Sequence, residues 1–133
     1  MRTAPLLFLA CAACSSASGP TPAGSFPVTL HSASGELELV LDSTAGSPTV
    51  GTDAIEITVT RAGDGGSLDG LDLTAVPWMP AMDHGTSSPT VTPQGGGKFV
   101  VSNLYFYMPG VWELKLGFTG PVTDHAEPEF QVQ

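Results

Sequence analysis

Two thioethers and an imidazole fall within six residues of the stretch Val76-Pro77-Trp78-Met79-Pro80-Ala81-Met82-Asp83-His84-Gly85. Thioether sulfur is soft and uncharged. A Met-x-x-Met-x-His spacing can therefore bring two sulfurs and one nitrogen around one ion, a donor set that suits Cu(I) and suits zinc or magnesium poorly. Imidazole also takes Cu(II), so the same side chains could hold either oxidation state in different geometries, as a carrier or chaperone requires. Met79, Met82 and His84 are the candidate ligands and copper the candidate ion. The competing reading is packing: methionine is an adaptable filler that would cap one end of the fold, and His84-Gly85 would simply turn the chain.

Other chemistries find less support. Ser87 and Ser88 lie near His84, but no nucleophile elbow surrounds them and no charged partner fixes the histidine, so a hydrolase is disfavoured. No glycine-rich phosphate loop is present, since Gly95 to Gly97 reads as a strand connection. His31, His84 and His125 lack the spacing of a zinc site. The acidic loop Asp64-Gly65-Gly66-Ser67-Leu68-Asp69-Gly70-Leu71-Asp72 invites calcium but does not match an EF-hand, and solvated turns explain it as well. The expectation is a protein that is not an enzyme.

The elements that must position these side chains are strands. Leu37, Leu39 and Leu41 alternate with Glu38 and Val40, and Ile55, Ile57 and Val59 alternate with Glu56, Thr58 and Thr60. Period two marks half-buried strands. The pattern recurs from Leu71 to Ala75, from Phe99 to Phe106, from Trp112 to Phe118 and at Phe130 and Val132, with Phe26, Val28 and Leu30 suggesting another strand. Turn formers separate the runs at Gly35, Gly46 to Pro48, Gly63 to Gly66, Asp69-Gly70, Gly95-Gly96-Gly97 and Pro109-Gly110. No apolar 3.6-residue pattern lasts long enough for a helix. About seven short strands with no helices to cover a parallel sheet predict an all-β, immunoglobulin-like antiparallel sandwich with Trp112 at its centre. Pro77 and Pro80 should interrupt ladder pairing, leaving Met79, Met82 and His84 on an irregular segment at the sandwich edge or end.

The 133 residues fit one domain, and 4 Lys+Arg against 13 Asp+Glu give a net charge of −9. A basic start, Met1-Arg2, precedes the short apolar run Leu6-Leu7-Phe8-Leu9-Ala10, the order of a secretory leader and too short to span a bilayer. The run ends in Cys11-Ala12-Ala13-Cys14, and a cysteine after small residues at the end of a leader resembles the lipobox of bacterial lipoproteins. That resemblance implies a signal peptide over residues 1–13, diacylation of Cys14 and anchoring in the cell envelope; Cys11 is the other possible acceptor, and a plain secretory signal is the other reading of the segment. Residues 14–27 are rich in Ser, Ala, Gly, Pro and Thr and read as a flexible tether, leaving residues 28–133 for the domain. The domain itself then contains no thiol. Loss of the leader leaves only Arg61, Lys98 and Lys115 as basic side chains, too few for nucleic acid.

Taken in order, Met79-Pro80-Ala81-Met82-Asp83-His84-Gly85, then Gly95-Gly96-Gly97-Lys98-Phe99, then Leu104-Tyr105-Phe106-Tyr107-Met108-Pro109-Gly110-Val111-Trp112-Glu113-Leu114 resemble the YtkA-like family. Its members typically show Met-Pro-x-Met-x-His-Gly, a Gly-Gly hairpin and Met-x-Gly-x-Trp. The resemblance spans most of Leu37 to Phe118. The family is similar to CopC-type periplasmic copper-handling domains and to FixH-like proteins linked to oxidase assembly, which implies an immunoglobulin-like fold and metal binding. Carried over, the implied ligands are Met79, Met82 and His84, with Met108 a fourth if its loop folds back. Met108 reads equally as packing on the Trp112 indole. This chain departs from the family pattern in Trp78, which would shield a Cu(I) centre by lying over it, and in Asp83, a hard oxygen that a soft ion does not favour. Two functions follow as expectations: an envelope copper carrier, chaperone or buffer, or a metal-free module that docks a protein partner in a membrane-associated complex.

Overall fold

The computed structural model describes residues 26–63 and 66–133. The leader, Cys11, Cys14, most of the tether and the Asp64-Gly65 part of the acidic loop lie outside them. Alternating runs become strands where period two predicts them: β1 (Val28–His31), β2 (Leu37–Asp42) and β3 (Gly51–Arg61). The chain continues through β4 (Asp72–Met79), β5 (His84–Gly85), β6 (Thr90–Gly95), β7 (Lys98–Phe106), β8 (Gly110–Thr119), β9 (Asp124–Ala126) and β10 (Glu129–Val132). The described residues thus contain ten strands rather than about seven. The additional ones, β5, β6 and β9, are short or exposed edge segments. β6 buries none of its residues fully, so no alternation marks it.

All pairing is antiparallel, in two sheets that form a β-sandwich. The first runs β1-β2-β3-β7-β6 and the second β10-β8-β4-β5, with β9 also paired to β8. Between them lie the fully buried Trp112, Phe106, Phe118 and Phe130, together with Leu37, Leu39, Leu41, Ile55, Ile57 and Leu114. Each such side chain contributes roughly 1.5–3 kcal/mol by leaving water. Trp112 meets Phe106 edge to face at 5.2 Å, and Phe106 meets Phe130 at 5.8 Å. Phe26 adds an edge contact to Phe130 at 5.4 Å, so packing begins before β1.

Two features of the strands shape the site. In β7 the pairing with β3 slips between Asp53 and Ile55, where Leu104 faces Asp53 and Val101 faces Ile55. Two residues of β7, Ser102 and Asn103, thus oppose one residue of β3, a β-bulge, with Asn103 in the left-handed region at φ 57°. The bulge changes which parity faces inward: Phe99 and Val101 before it, Leu104 and Phe106 after it. The second feature is Pro77, expected to interrupt ladder pairing. It lies inside β4, paired with Leu114 of β8. The Leu114 N–H turns away to the carbonyl of Pro128, while the Pro77 carbonyl accepts from Thr86. The backbone nitrogen of Pro77 therefore points away from β8, where the ladder needs no donor, and the strand runs through it.

The triple glycine forms the hairpin predicted for it. Gly95 pairs with Lys98, and Gly96 and Gly97 have φ of 61° and 84°. Positive φ at both central residues is what a two-residue type I′ turn demands. Gly97 also passes so close to Val59 that a Cβ would stand 2.3 Å from the Val59 carbonyl oxygen.

A polar latch joins the two sheets. The β1–β2 turn donates the Ala33 N–H to the carbonyl of His125 at 2.8 Å, and both the N–H and the hydroxyl of Ser34 bind the Asp124 carboxylate in β9. Burial pushes the Asp124 pKa up, but hydrogen bonds from Ser32, Ser34 and the His125 N–H outweigh it and hold the group at about 2.

Candidate metal centre

β4 and β5 form a hairpin whose connection is a single 3₁₀ turn, Pro80–Met82. Pro80 suits the first turn because its missing N–H would have no partner there. Asp83 ends the turn in the left-handed conformation, at φ 53° and ψ 39°, and donates its N–H to the Pro80 carbonyl at 3.3 Å. A short polar side chain tolerates that backbone better than most, so the residue that departs from the family motif has a conformational role. The turn returns the chain so that Met79 pairs directly with His84 and Trp78 with Gly85. Directly opposed residues share a face of the sheet, with Cβ atoms about 4.5–5.5 Å apart. Met79 and His84 thus project together, Met79 buried at 6% exposure and His84 exposed.

Tyr107 completes the cluster from the junction between β7 and β8. Its hydroxyl lies 3.1 Å from both ring nitrogens of His84 and donates to the sulfur of Met79 at 3.9 Å. Its ring stacks on the imidazole, with centroids 5.3 Å apart and planes inclined by 17°, and meets Trp112 edge to face at 5.0 Å. Gly110 keeps the approach open, since a Cβ there would stand 2.8 Å from the Met79 methyl carbon. The hydroxyl oxygen of Thr86, two residues beyond His84, is buried without a hydrogen-bond partner.

The remaining site residues are placed as follows. Met82 ends the 3₁₀ turn at 50% exposure, one turn from Met79. Met108 is partly buried against the core, and its carbonyl accepts from Nε1 of the fully buried Trp112 at 3.0 Å. The link between the second methionine motif and the first is the hydroxyl of its neighbour Tyr107. Sequence reasoning did not single out Tyr107; its place directly before Met108-Pro109-Gly110 was the available signal. Trp78 does not lie over Met79. Adjacent strand residues face opposite sides, and Trp78 is on the outer face, where the Lys115 ammonium sits 4.3 Å from its ring. Gly85, paired with Trp78, has no room for a Cβ, which would approach the Pro77 carbonyl to 2.5 Å.

Behind the hairpin, on that outer face, Lys115 also approaches Glu113 at 3.9 Å. Burial raises the Glu113 pKa, the neighbouring carboxylates of Glu127 and Glu129 raise it further, and Lys115 offsets part of the effect. Among the described residues no three His, Cys, Asp or Glu side chains gather as a metal-holding group. The donors assembled at the hairpin are instead an imidazole and thioether sulfur, with a phenol between them. In the acidic loop, Leu68 and Leu71 are core residues and the Leu71 N–H closes a turn on the Leu68 carbonyl at 3.0 Å, leaving Asp69 and Asp72 exposed.

Neither the curated proteins nor the solved structures contain a match to this chain. The sequence pattern of one family does match, over residues 31–117, from the last residue of β1 through most of β8. That span contains Met79, Met82, His84, Tyr107 and Met108, and the chain belongs to the YtkA-like family.

Proposed function

We propose that this chain is an exported, lipid-anchored envelope protein that binds copper as Cu(I) and carries or buffers it, without catalysing a reaction. The reading rests on one juxtaposition: Met79 and His84 are register partners on one face of the β4–β5 hairpin, and the Tyr107 hydroxyl touches donor atoms of both. A soft, uncharged sulfur beside a neutral imidazole nitrogen fits a soft monovalent ion and offers little to a hard divalent one. Met79 would supply a donor fixed by the core. His84 and Met82, both exposed, would supply donors free to adjust and to hand an ion onward. Bound copper would supply cargo or a redox couple. The protein's part is to hold it in soft donors near the surface. Lipidation at Cys14 would keep the domain at the membrane, close to a protein that delivers or accepts the ion.

Anaerobic titration of the purified chain with Cu(I) against a competing chelator tests the reading, run in parallel on a Met79→Leu, Met82→Leu, His84→Ala variant that melts as wild type does. Uptake of one ion by wild type and not by the variant is the expected result. Failure of wild type to compete would leave the methionines as packing and favour a metal-free interaction module.

A further inference from the structure

Two carboxylates stand directly opposite one another on the outer face of the second sheet. Glu113 of β8 is the register partner of Glu129 of β10. The adjacent Leu114 donates its N–H to the Pro128 carbonyl, so Glu113 and Glu129 form a non-hydrogen-bonded pair, the kind whose side chains lie closest. Like charges so placed destabilise a sheet, and Glu127 adds to the repulsion on Glu113. The Glu113 side chain is only 13% exposed; among the described residues its one cationic neighbour is Lys115, which lies 3.9 Å away, beyond hydrogen-bond length, and sits over the Trp78 ring. Arg61 and Lys98 belong to the first sheet. The opposed acids of that sheet, Asp42 and Glu56, are better solvated: both are exposed, and Asp42 accepts the Ser43 N–H at 2.8 Å. On the same outer face as Glu113, two residues along from it and from its partner Trp78, stand the exposed apolar side chains of Val111 and Val76.

We infer that this face is a docking surface for a protein partner that presents an arginine between aliphatic side chains, its guanidinium bridging Glu113 and Glu129. A bridging cation turns the repulsion of the free chain into attraction in the complex. The planar fork carries five N–H donors, enough to serve two carboxylates whose Cβ atoms are about 4.5–5.5 Å apart, whereas an ammonium is a point charge that meets both less well. Val76 and Val111 would pack on the aliphatic neighbours of the arginine and exclude water from the charged contact. The face backs the β4–β5 hairpin, since Trp78 pairs with Gly85 beside Met79 and His84. A docked partner would therefore border the candidate metal centre, while the docking itself needs no metal.

The test is an NMR titration of the purified, metal-free full chain at low ionic strength with the peptide acetyl-Ser-Leu-Arg-Leu-Ser-amide and its lysine counterpart. The expected result is a set of peptide-induced signal changes confined to Val76, Trp78, Val111, Glu113 and Glu129, with the arginine peptide the tighter binder. Hydrogen bonds to charged groups are among the stronger ones, so Glu113→Gln and Glu129→Gln should each weaken binding by about tenfold or more. Glu36→Gln, which removes the same charge from the exposed β1–β2 turn, should bind as wild type does. Glu129 is exposed, so its variant separates lost docking from lost folding. Equal weakening in Glu36→Gln, signal changes spread over both sheets, or equal affinity for the two peptides would mean attraction to the net charge alone and would overturn the inference. Absence of any signal change overturns it as well. None of these outcomes bears on Cu(I) binding, which the chelator competition decides separately.

Discussion

Met79 and His84 stand opposite one another at the mouth of the β4–β5 hairpin, the methionine in the core and the histidine in solvent. That asymmetry separates stability from binding. His84→Ala removes an exposed side chain together with its stacking on Tyr107, and should cost no more than about 1.5 kcal/mol of unfolding free energy. Met79→Leu, which conserves volume, should cost under about 1.5 kcal/mol, whereas Met79→Ala should cost roughly 2–5 kcal/mol. Denaturant melts would give these values, and Cu(I) competition on the same samples should show His84→Ala and Met79→Leu both weakened.

Gly110 is the point at which the β8 backbone passes the Met79 methyl group, with φ at 138°. Gly110→Ala forces a new Cβ against that methyl and strains the backbone. It should destabilise the domain by about 1–3 kcal/mol and disturb Met79 without removing any donor. A melt together with the Met79 methyl NMR signal would detect both effects; a wild-type melt would show that the hairpin yields without cost.

Thr86 carries a buried hydroxyl oxygen with no partner. An unsatisfied buried hydroxyl costs about 1–3 kcal/mol, so Thr86→Val, which keeps the branched shape, should stabilise the protein by about 1 kcal/mol. Lower thermal stability in that variant would mean the hydroxyl is satisfied in solution.

Asp124 should make the sheet latch sensitive to acid. Its folded pKa is lowered from 3.8 to about 2, so its contribution is complete above the unfolded value and drains away as pH falls from about 4 toward 2. Asp124→Asn should be less stable than wild type at neutral pH, and the gap should close across that window. Chemical denaturation at a series of acidic pH values would follow it.

Glu113 has the opposite sign. Its folded pKa is raised by burial and by Glu127 and Glu129, so its ionised form opposes folding once pH rises through the folded value. Glu113→Gln should therefore be more stable than wild type at neutral pH, with the gain disappearing in acid. A loss of stability instead would mean that the contact with Lys115 outweighs the cost of burial and repulsion.

The long strands were legible because one face is apolar and the other is not. Leu37, Leu39 and Leu41 are all fully buried, as are Ile55, Ile57 and Val59. Edge strands give no such signal, since β6 exposes both faces. The Asn103 bulge was hidden for a different reason. Period two carried through it would turn Asn103, Tyr105 and Tyr107 inward, whereas the inserted residue turns Leu104 and Phe106 inward and leaves Tyr105 at 47% exposure. Among the site residues, proximity in sequence revealed Met79, Met82 and His84. Tyr107 stayed unseen because its contacts with Met79 and His84 are made 28 and 23 residues away along the chain. Trp78 was set on the wrong side for want of a strand: once β4 runs through Pro77, alternation puts Trp78 and Met79 on opposite faces.

The orientation of Pro77 matters beyond this single chain. The pairing described between β4 and β5 covers only Trp78 and Met79, so the lower part of β4 is an edge that a strand from another copy could extend. At the upper end of that edge an incoming strand would find neither backbone group of Pro77 available: its nitrogen carries no hydrogen and its carbonyl already accepts from Thr86. Copies brought side by side at high local concentration would therefore meet an interrupted template for strand addition. The residue that lets β4 reach Met79 also discourages the sheet from growing into an aggregate.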